Sequence, residues 1–500
     1  MTERSTWGLA LTVCSIVLAP VLVPVTALGA QERPDVEGFA SSRGGPTDER
    51  ETRPRGTRAR TRIELDYSKS SKRISVRGSL VPSVQDAEVD VLLERKSNGS
   101  FKDVATKHPI VGGEGKFSAR FQRPKRNVCR LTASFAGDND HRPSEADKTF
   151  HCGLPVHMVT YSPEQLPSRT ERVVEKINGV KATTAMSGSL FLKSSRAPGE
   201  GSVDNPPGSY KIPLDVTFIQ PEEYARFANE NDKEAIRSLR GRRVLLSEGA
   251  ADLRDGQSKL KMRTTVGRFR SIGSVANSSA QGYEVLVPKP IVRSSVAFRT
   301  ILIERPPDVG RKRIARKIRR VAGGKPVEIS TEKEVPYLRA GQLVRPQLFV
   351  KKAFGEFAMK PGSGRSISIQ HPWAGQNIKR DGVPILGQVT CHRKIFPQLR
   401  KAMRELRRKG LSHTVTRSNY AGCFNPRFIS SYDNSDVGPV RRLSRHSWGI
   451  ALDINAGNNP FGQRPHQNRR FVRIMKKWGF GWGGKWALPD GMHFEWERFP

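Results

Sequence analysis

The sequence predicts a multidomain protein with a β-sandwich near its N-terminus, a mixed α/β middle region and a C-terminal α+β domain that contains a small antiparallel sheet. The first observation is length, because 500 residues are too many for one hydrophobic core. The second is a series of short alternating runs, separated by turn residues, in residues 61–155. The third is that apolar stripes at helical spacing occur beyond residue 390, close to short alternating segments.

The N-terminal segment, residues 1–30, is predicted to be an export signal. Residues 5–30 carry no charged side chain, follow Arg4 and end in small residues. This stretch is also long enough to span a bilayer, so an uncleaved membrane anchor is the alternative. Pro20 and Pro24 favour cleavage. We therefore expect an exported protein, either released or held by this segment.

Residues 31–60 mix charges with prolines and glycines and contain few aliphatic residues, which predicts a flexible linker. Runs such as Arg73–Gly78 and Ala87–Leu93 then alternate between apolar and polar side chains. Turn residues separate these runs at intervals typical of a β-sandwich. Residues 61–155 are accordingly predicted to form an immunoglobulin-like sandwich that acts as a spacer or as a binding module.

The middle region, residues 156–345, combines β-rich runs with a helix that begins near Pro221. Its motifs indicate no particular role. The basic run Arg311–Arg320 has Ile314 and Ile318 four residues apart, as on one face of a helix. Such a helix presents either a solvated cationic face or a contact for a polyanion.

Five cysteines are present, and one of them, Cys14, lies in the export segment. An even number of cysteines in the exported part indicates disulfides. Four cysteines allow three pairings, of which Cys129 with Cys152 and Cys391 with Cys423 keeps each bridge inside one predicted domain. A cysteine metal site is the alternative, but no Cys-x-x-Cys pair exists to begin one.

The C-terminal domain, residues 346–500, is predicted to contain helices over about 394–409 and 467–478. The residues that form their apolar stripes are Phe396, Leu399, Met403 and Leu406 in the first and Phe471, Ile474, Met475 and Trp478 in the second. Trp482, Trp486 and Trp496 either pack in the core or line a groove. The His-Glu-x-x-His signature of many metalloproteases and the Gly-x-Ser-x-Gly elbow of serine hydrolases are absent from the sequence.

Possible metal ligands occur close together in two segments of this domain. Residues 444–453 read Ser-Arg-His-Ser-Trp-Gly-Ile-Ala-Leu-Asp, and residues 490–496 read Asp-Gly-Met-His-Phe-Glu-Trp. In the first segment the aliphatic residues alternate with Asp453, which places that carboxylate on the opposite face of a strand. Two imidazoles, a carboxylate and a spare acid suit a catalytic zinc site, in which one coordination position stays open for water.

The order Ser-x-His, six intervening residues, Asp, and then Asp-x-x-His-Phe resembles a family of zinc peptidases. This family comprises D-alanyl-D-alanine carboxypeptidases and L-alanyl-D-glutamate endopeptidases and is also called VanY-like. The resemblance covers residues from about 350 to the C-terminus and includes the segments Phe354–Ala358, Val389–Arg393 and Ala421–Arg427.

The resemblance implies that His446, Asp453 and His493 bind one Zn²⁺ ion. It also implies that Asp490 is the general base, which takes a proton from the attacking water. Many members have Glu at that position, whereas the endolysin-like endopeptidases have Asp. The Asp in this chain therefore favours the endopeptidase branch.

Two further residues match family positions that face the substrate. Arg427 stands where the family has an arginine whose planar fork could hold a substrate carboxylate or the oxyanion. Ser444 matches the serine before the first ligand, where its hydroxyl could bond to the substrate. For Ser444 the alternative is a turn serine that hydrogen-bonds to the backbone.

The implied function is that of an exported zinc metallopeptidase that hydrolyses the stem peptides of peptidoglycan, as a D-Ala-D-Ala carboxypeptidase does. The alternatives are L-Ala-D-Glu endopeptidase activity and a non-catalytic wall-binding protein with a peptidase-like fold. We expect the protein to be secreted or associated with the cell wall.

The net charge of +38 predicts anionic partners such as wall polymers or a membrane surface. Nucleic acid is not expected, because the chain has an export segment and no zinc-finger or RNA-binding signature.

Overall fold

The computed structural model describes residues 58–199, 201–289, 298–339, 344–429 and 442–500. The predicted export segment and nearly all of the predicted linker lie outside the described residues. Residues Arg58 to Pro500 contain several β-sheets and separate hydrophobic cores. The predicted multidomain, β-rich architecture is confirmed.

Between residues 58 and 155 the structure has seven strands, which form two antiparallel sheets in the orders β1-β2-β5 and β4-β3-β6-β7. Their bounds are β1 Arg62–Lys69, β2 Arg73–Val81, β3 Asp90–Ser97, β4 Ser100–Lys107, β5 Lys116–Gln122, β6 Val128–Phe135 and β7 Ser144–His151. Both sheets contribute to one core, which contains Ile74 and Phe117 from the first sheet and Leu93 and Leu131 from the second. The immunoglobulin-like type of this pair of sheets stays a prediction.

The described residues of the middle region form a ten-stranded sheet and five helices. The strands are β8 Val156–Tyr161, β9 Lys181–Ala197, β10 Gly201–Asp204, β11 Ile212–Ile219, β12 Arg243–Ser247, β13 Lys261–Thr264, β14 Gly267–Val275, β15 Val285–Pro288, β16 Phe298–Arg305 and β17 Glu328–Thr331. The helices are α1 Thr170–Glu175, α2 Pro221–Tyr224, α3 Lys233–Arg237, α4 Glu248–Asp252 and α5 Arg311–Ala322. The helix predicted at Pro221 begins there but spans one turn. The basic run forms α5, in which Ile314 and Ile318 are fully buried.

Six strands of this sheet close into a ring. Strand β11 pairs with β15 on one side and with β9 on the other, and β12, β14 and β13 complete the circuit back to β9. Apolar side chains that include Leu190, Val216, Val244, Met262 and Phe269 fill one core cluster. Because side chains alternate along a strand, the neighbours of these residues project from the outer face of the ring.

In the C-terminal region, the part that the structure describes has four α-helices and seven short strands. The helices are α6 Gln347–Phe354, α7 His371–Asn377, α8 Phe396–Arg408 and α9 Arg469–Lys477. The strands are β18 Met359–Pro361, β19 Ile367–Ile369, β20 Ile378–Val383, β21 Gly387–His392, β22 Ala451–Asp453, β23 Phe480–Trp482 and β24 His493–Trp496. The predicted apolar stripes form α8 and α9, and the small antiparallel sheet has the order β22-β24-β23.

Both predicted disulfides are confirmed, Cys129–Cys152 beside the first core and Cys391–Cys423 in the C-terminal region. In the described part of the chain, no helix is long and apolar enough to cross a membrane.

A buried ion-pair network joins the ring of strands to α6. Lys351 Nζ donates to Glu284 Oε1 and to Glu356 Oε1 at 2.6 Å each, and the Lys351 side chain is fully buried. Burial raises the pKa of Glu284 even beside this cation. Removal of the cation would leave a buried carboxylate without its partner, which is strongly destabilising.

We therefore expect Lys351→Met to lower the free energy of unfolding by about 3–5 kcal/mol at neutral pH, as measured by guanidinium denaturation. The folded variant would bind protons at Glu284 and Glu356 more readily than the unfolded chain, so its deficit should shrink as the pH falls from 8 to 5. The matched control is Lys352→Met, because the exposed pair of Lys352 with Asp252 should contribute less than about 1 kcal/mol. An equal loss in both variants would contradict this account of the network.

Candidate metal centre

His446 lies in a short 3₁₀ turn, Arg445–Trp448, immediately before β22. The Ser444 hydroxyl caps this turn by accepting from the His446 backbone N–H at 3.3 Å. Gly449 ends the turn with φ +64°, and a Cβ there would lie 2.8 Å from the backbone nitrogen of His392. Glycine is therefore required here both by the backbone conformation and by the close approach of the neighbouring chain.

The other two candidate ligands lie opposite each other on paired strands. Asp453 ends β22 and His493 begins β24, and the antiparallel register makes them direct partners. Ile450 and Leu452 are fully buried in the core, as the alternating pattern predicted. The sheet register thus places a carboxylate beside an imidazole.

The ligand atoms of His446, Asp453 and His493 all lie within 4.8 Å of one another. His446 Nε2 is 3.2 Å from Asp453 Oδ2 and 3.3 Å from His493 Nδ1, and His493 Nδ1 is 3.1 Å from Asp453 Oδ1. Ligand atoms at about 2.0–2.1 Å from a tetrahedral zinc ion are roughly 3.3 Å apart. The three spacings, which involve both oxygens of Asp453, are close to this distance.

The remaining ring nitrogens have hydrogen-bond acceptors of their own. His446 Nδ1 donates to the Cys423 carbonyl at 2.8 Å, and His493 Nε2 donates to Glu495 Oε2 at 3.2 Å. Neutral imidazoles in these tautomers direct the lone pairs of His446 Nε2 and His493 Nδ1 towards each other and towards Asp453. A cation is needed between these three acceptors, and such outer hydrogen bonds are characteristic of metal-binding histidines.

In the absence of a metal ion, a proton on His493 supplies part of the positive charge that these three acceptors need. Burial lowers the pKa of His493, but hydrogen bonds to Asp453 and Glu495 raise it to about 10. Burial lowers the pKa of His446. Burial raises the pKa of Asp453, yet the two histidines hold it well below its ordinary value. The ionised Asp453 carboxylate thus stabilises positive charge at the centre.

A second cluster of possible ligands, Glu88, Asp90 and His108, occurs in the region before residue 155. All three residues are exposed, and His108 Nδ1 lies 2.6 Å from Asp90 Oδ1. Exposed acidic clusters of this kind form ordinary surface ion pairs. The buried cluster is therefore the candidate centre.

Comparison with known proteins gives one result. Residues 438–496 match the family model described as D-alanyl-D-alanine carboxypeptidase. The match supports a peptidase of this family at the C-terminus and includes all three candidate ligands and Asp490, whereas Arg427 lies outside it. Searches of curated proteins and of solved structures found no match.

Several buried polar atoms of the C-terminal region have no hydrogen-bond partner among the described residues. Three of them are Asp490 Oδ1, Arg427 Nη1 and Tyr420 OH. Electrostatic effects connect them to the centre, since Asp453 influences the pKa of each of the three residues. Buried polar groups are rarely left unpaired, so these atoms indicate room for a polar ligand.

The pKa of Asp490 is raised to about 6, because burial and the charge of Asp453 outweigh the opposing effects of His493 and Arg427. Asp490 lies just before the turn that leads into β24, and its backbone carbonyl accepts from the His493 N–H at 3.3 Å. The predicted general base is thus close to the third ligand without being part of the three-ligand cluster.

The other residues singled out in the sequence have varied surroundings. The hydroxyl of Ser444 caps the turn that carries His446, and its predicted role in substrate binding stays a prediction. Trp496 packs on Phe354 with ring centroids 4.8 Å apart, and Trp482 donates to the Gly491 carbonyl. The Trp486 ring lies 5.4 Å from that of His493, so it adjoins the centre.

Tyr420 was not predicted from the sequence as a residue of the candidate site. A tyrosine outside the ligand motifs gives no periodic or spacing signal, and only the fold reveals its partnerless hydroxyl. The Cys423 carbonyl was missed for the same reason, because any residue can supply a backbone carbonyl.

Glu495 is expected to orient His493, since it accepts from His493 Nε2 and also from the Val344 N–H at 2.5 Å. We expect Glu495→Gln to weaken zinc affinity by about 10–100-fold, as measured by competition with a chromophoric chelator. Glu497→Gln, two residues further along the chain, is the matched control and should leave the affinity unchanged. Unchanged affinity in both variants would remove Glu495 from the support of the centre.

Proposed function

We propose that the C-terminal region is a zinc peptidase that hydrolyses peptidoglycan stem peptides and removes their terminal D-alanine. The observation that carries this proposal is the cluster of His446, Asp453 and His493, whose ligand atoms lie within 4.8 Å of one another and whose lone pairs converge. Zinc bound there would polarise a scissile carbonyl and lower the pKa of a coordinated water towards about 7.

Asp490 is the general base of the proposed reaction. Its partnerless Oδ1 can accept a proton from the attacking water. With a pKa of about 6, Asp490 is a stronger base than an ordinary aspartate and still carries a negative charge at neutral pH. The same carboxyl can then return the proton to the leaving amine.

Arg427 and Tyr420 supply donors for the substrate. Arg427 Nη1 is buried and without a partner among the described residues. Burial lowers the pKa of Arg427, whereas Asp453 and Asp490 oppose this shift by favouring its charged form. A guanidinium at such a site can bind the C-terminal carboxylate of a stem peptide or stabilise an oxyanion. The Tyr420 hydroxyl can donate to a carbonyl oxygen of the same substrate.

L-Ala-D-Glu endopeptidase activity is the second candidate function. It is favoured by the identity of residue 490, because Asp stands where the endopeptidase branch of the resembled family has it. A non-catalytic wall-binding protein is disfavoured, since a buried acid without a partner beside a ligand cluster has no use in a scaffold.

The experiment that tests the proposal is incubation of the mature chain with defined muropeptides, first with zinc and then with a chelator. Chelator-sensitive loss of one D-alanine, read by mass, would establish a carboxypeptidase. A cut after L-alanine would establish the endopeptidase instead. Absence of any product with one zinc ion bound would overturn peptidase activity on peptidoglycan.

We also propose that the protein acts outside the cell, secreted or associated with the wall. Two disulfides support an oxidising compartment.

A further inference from the structure

A cleft of about 870 Å³ opens on the ring of six strands, and its lining residues all fall between Ser194 and Arg270. It therefore shares no residue with the candidate metal centre. Among the described residues that line the cleft, eight side chains are cationic and none is acidic. These eight are Arg196, Arg240, Arg242, Arg243, Lys261, Arg263, Arg268 and Arg270. We call this site the cationic cleft.

Strand register arranges four of these cations in one row. Lys261 on β13 is the direct partner of Arg196 on β9 and of Arg270 on β14, and Arg270 is in turn the partner of Arg243 on β12. Neighbouring strands lie about 4.8 Å apart, so the row extends over roughly 14 Å. All four side chains are exposed on the outer face of the ring.

A second cationic pair continues the row on the same face. Arg263 is opposite Arg268, and each lies two residues from a member of the first row. Like charges directly opposite each other on a sheet destabilise the fold. Within the described ranges, none of the eight cations forms a salt bridge with a carboxylate. A bound anion would therefore relieve a repulsion that the chain itself leaves uncompensated.

We propose that the cationic cleft binds a linear anionic polymer of polyol or sugar units joined by phosphodiesters. Seven of the eight cations are arginines, whose planar forks bind phosphate oxygens through two hydrogen bonds. Cations in a row that crosses four strands can pair with successive charges along a polymer, whereas one small anion would contact only part of the row. Ser194, Ser202 and Asn205 add neutral hydrogen-bonding groups for hydroxyl-bearing units.

The lining also argues against two other anionic partners. Single-stranded nucleic acids are held by aromatic platforms on which bases stack. Among the described lining residues, Phe269 is the one aromatic residue, and it is buried. Docking to a bilayer uses exposed apolar side chains that enter the headgroup boundary. The apolar lining residues Met262 and Phe269 are both buried, so neither is available for that purpose.

The experiment measures binding of a labelled synthetic glycerol-phosphate oligomer to the full chain at several salt concentrations. The cleft variant is Lys261→Thr, Arg263→Thr and Arg270→Thr in one chain. The matched control is Lys312→Gln, Arg316→Gln and Arg319→Gln on α5, which removes the same charge from exposed positions. We expect the cleft variant to bind at least about 10-fold more weakly, with a salt slope reduced by about three, and the control to bind as the parent does.

Folding is checked by thermal unfolding, and the cleft variant should melt at or above the parent temperature because it lacks the opposed charges. If it melts lower, the single variant Arg263→Thr replaces it, with an expected reduction of the salt slope by about one. Hydrolysis of a soluble muropeptide should be unchanged in every variant, which separates this proposal from the proposed peptidase activity.

Three results would overturn the proposal. One is equal loss of binding in the cleft variant and the α5 control, which would show that binding depends on the net charge of the chain and not on the cleft. Another is tighter, cleft-dependent binding of single-stranded DNA with the same number of phosphates. The third is binding to phosphatidylglycerol vesicles without binding to the oligomer.

Discussion

His446→Ala should abolish both stoichiometric zinc binding and peptidase activity. The variant keeps Asp453 and His493 but loses the ligand atom that lies 3.2 and 3.3 Å from them, so two ligands would remain where a catalytic zinc site needs three. The measurement is metal content after dialysis, together with product formation from a muropeptide.

The matched control is His466→Ala, because His466 is exposed in the loop between β22 and α9. Its zinc content and activity should equal those of the parent chain. One zinc ion retained by the His446→Ala protein would exclude His446 as a ligand and would move the centre elsewhere.

Asp490→Asn should leave zinc bound and slow hydrolysis by at least about 100-fold. Asparagine preserves the size of the side chain but cannot accept the proton that the reaction must remove from water. Asp490→Glu should recover part of the rate, since the resembled family uses Glu at this position in many members. Near-normal turnover of the Asn variant would transfer the base role, with Glu495 as the next residue to test.

The pH profile offers an independent readout of the same group. A general base must be deprotonated, so kcat/KM should fall as the pH decreases through its pKa. Burial sets the pKa of Asp490 at about 6 in the metal-free chain, and a bound cation would lower it. We expect an acid limb at or below pH 6 in the parent and in Asp490→Glu, and its loss in Asp490→Asn.

The three candidate ligands were proposed from sequence through the resemblance to a zinc peptidase family, and each stands in a short segment with a local pattern. Alternation of Ile450 and Leu452 fixed the face of Asp453, and the same rule applies to β24. Helices α8 and α9 were predictable for a similar reason, since their apolar stripes are local and lie within a residue or two of the observed bounds.

The remaining features depend on contacts between distant residues. Lys351 pairs with Glu284 across 67 positions, and no local pattern connects the two. The ring closes because β11 pairs with both β9 and β15, and the periodicity of apolar residues in the sequence does not specify these pairings. The row of cations in the cleft is likewise a product of register, because β9, β12, β13 and β14 are separated in the chain by loops and helices.

The pairing of Asp453 with His493 links metal binding to the alignment of two strands. Side chains alternate along a strand, so a slip of β24 by one position would turn His493 to the opposite face and replace it with a residue that cannot bind zinc. Only the native alignment brings both ligands to one ion, and an ion that binds only this alignment raises its population by mass action. A bound metal ion would therefore stabilise the native register of β22 and β24 relative to other registers of the small sheet.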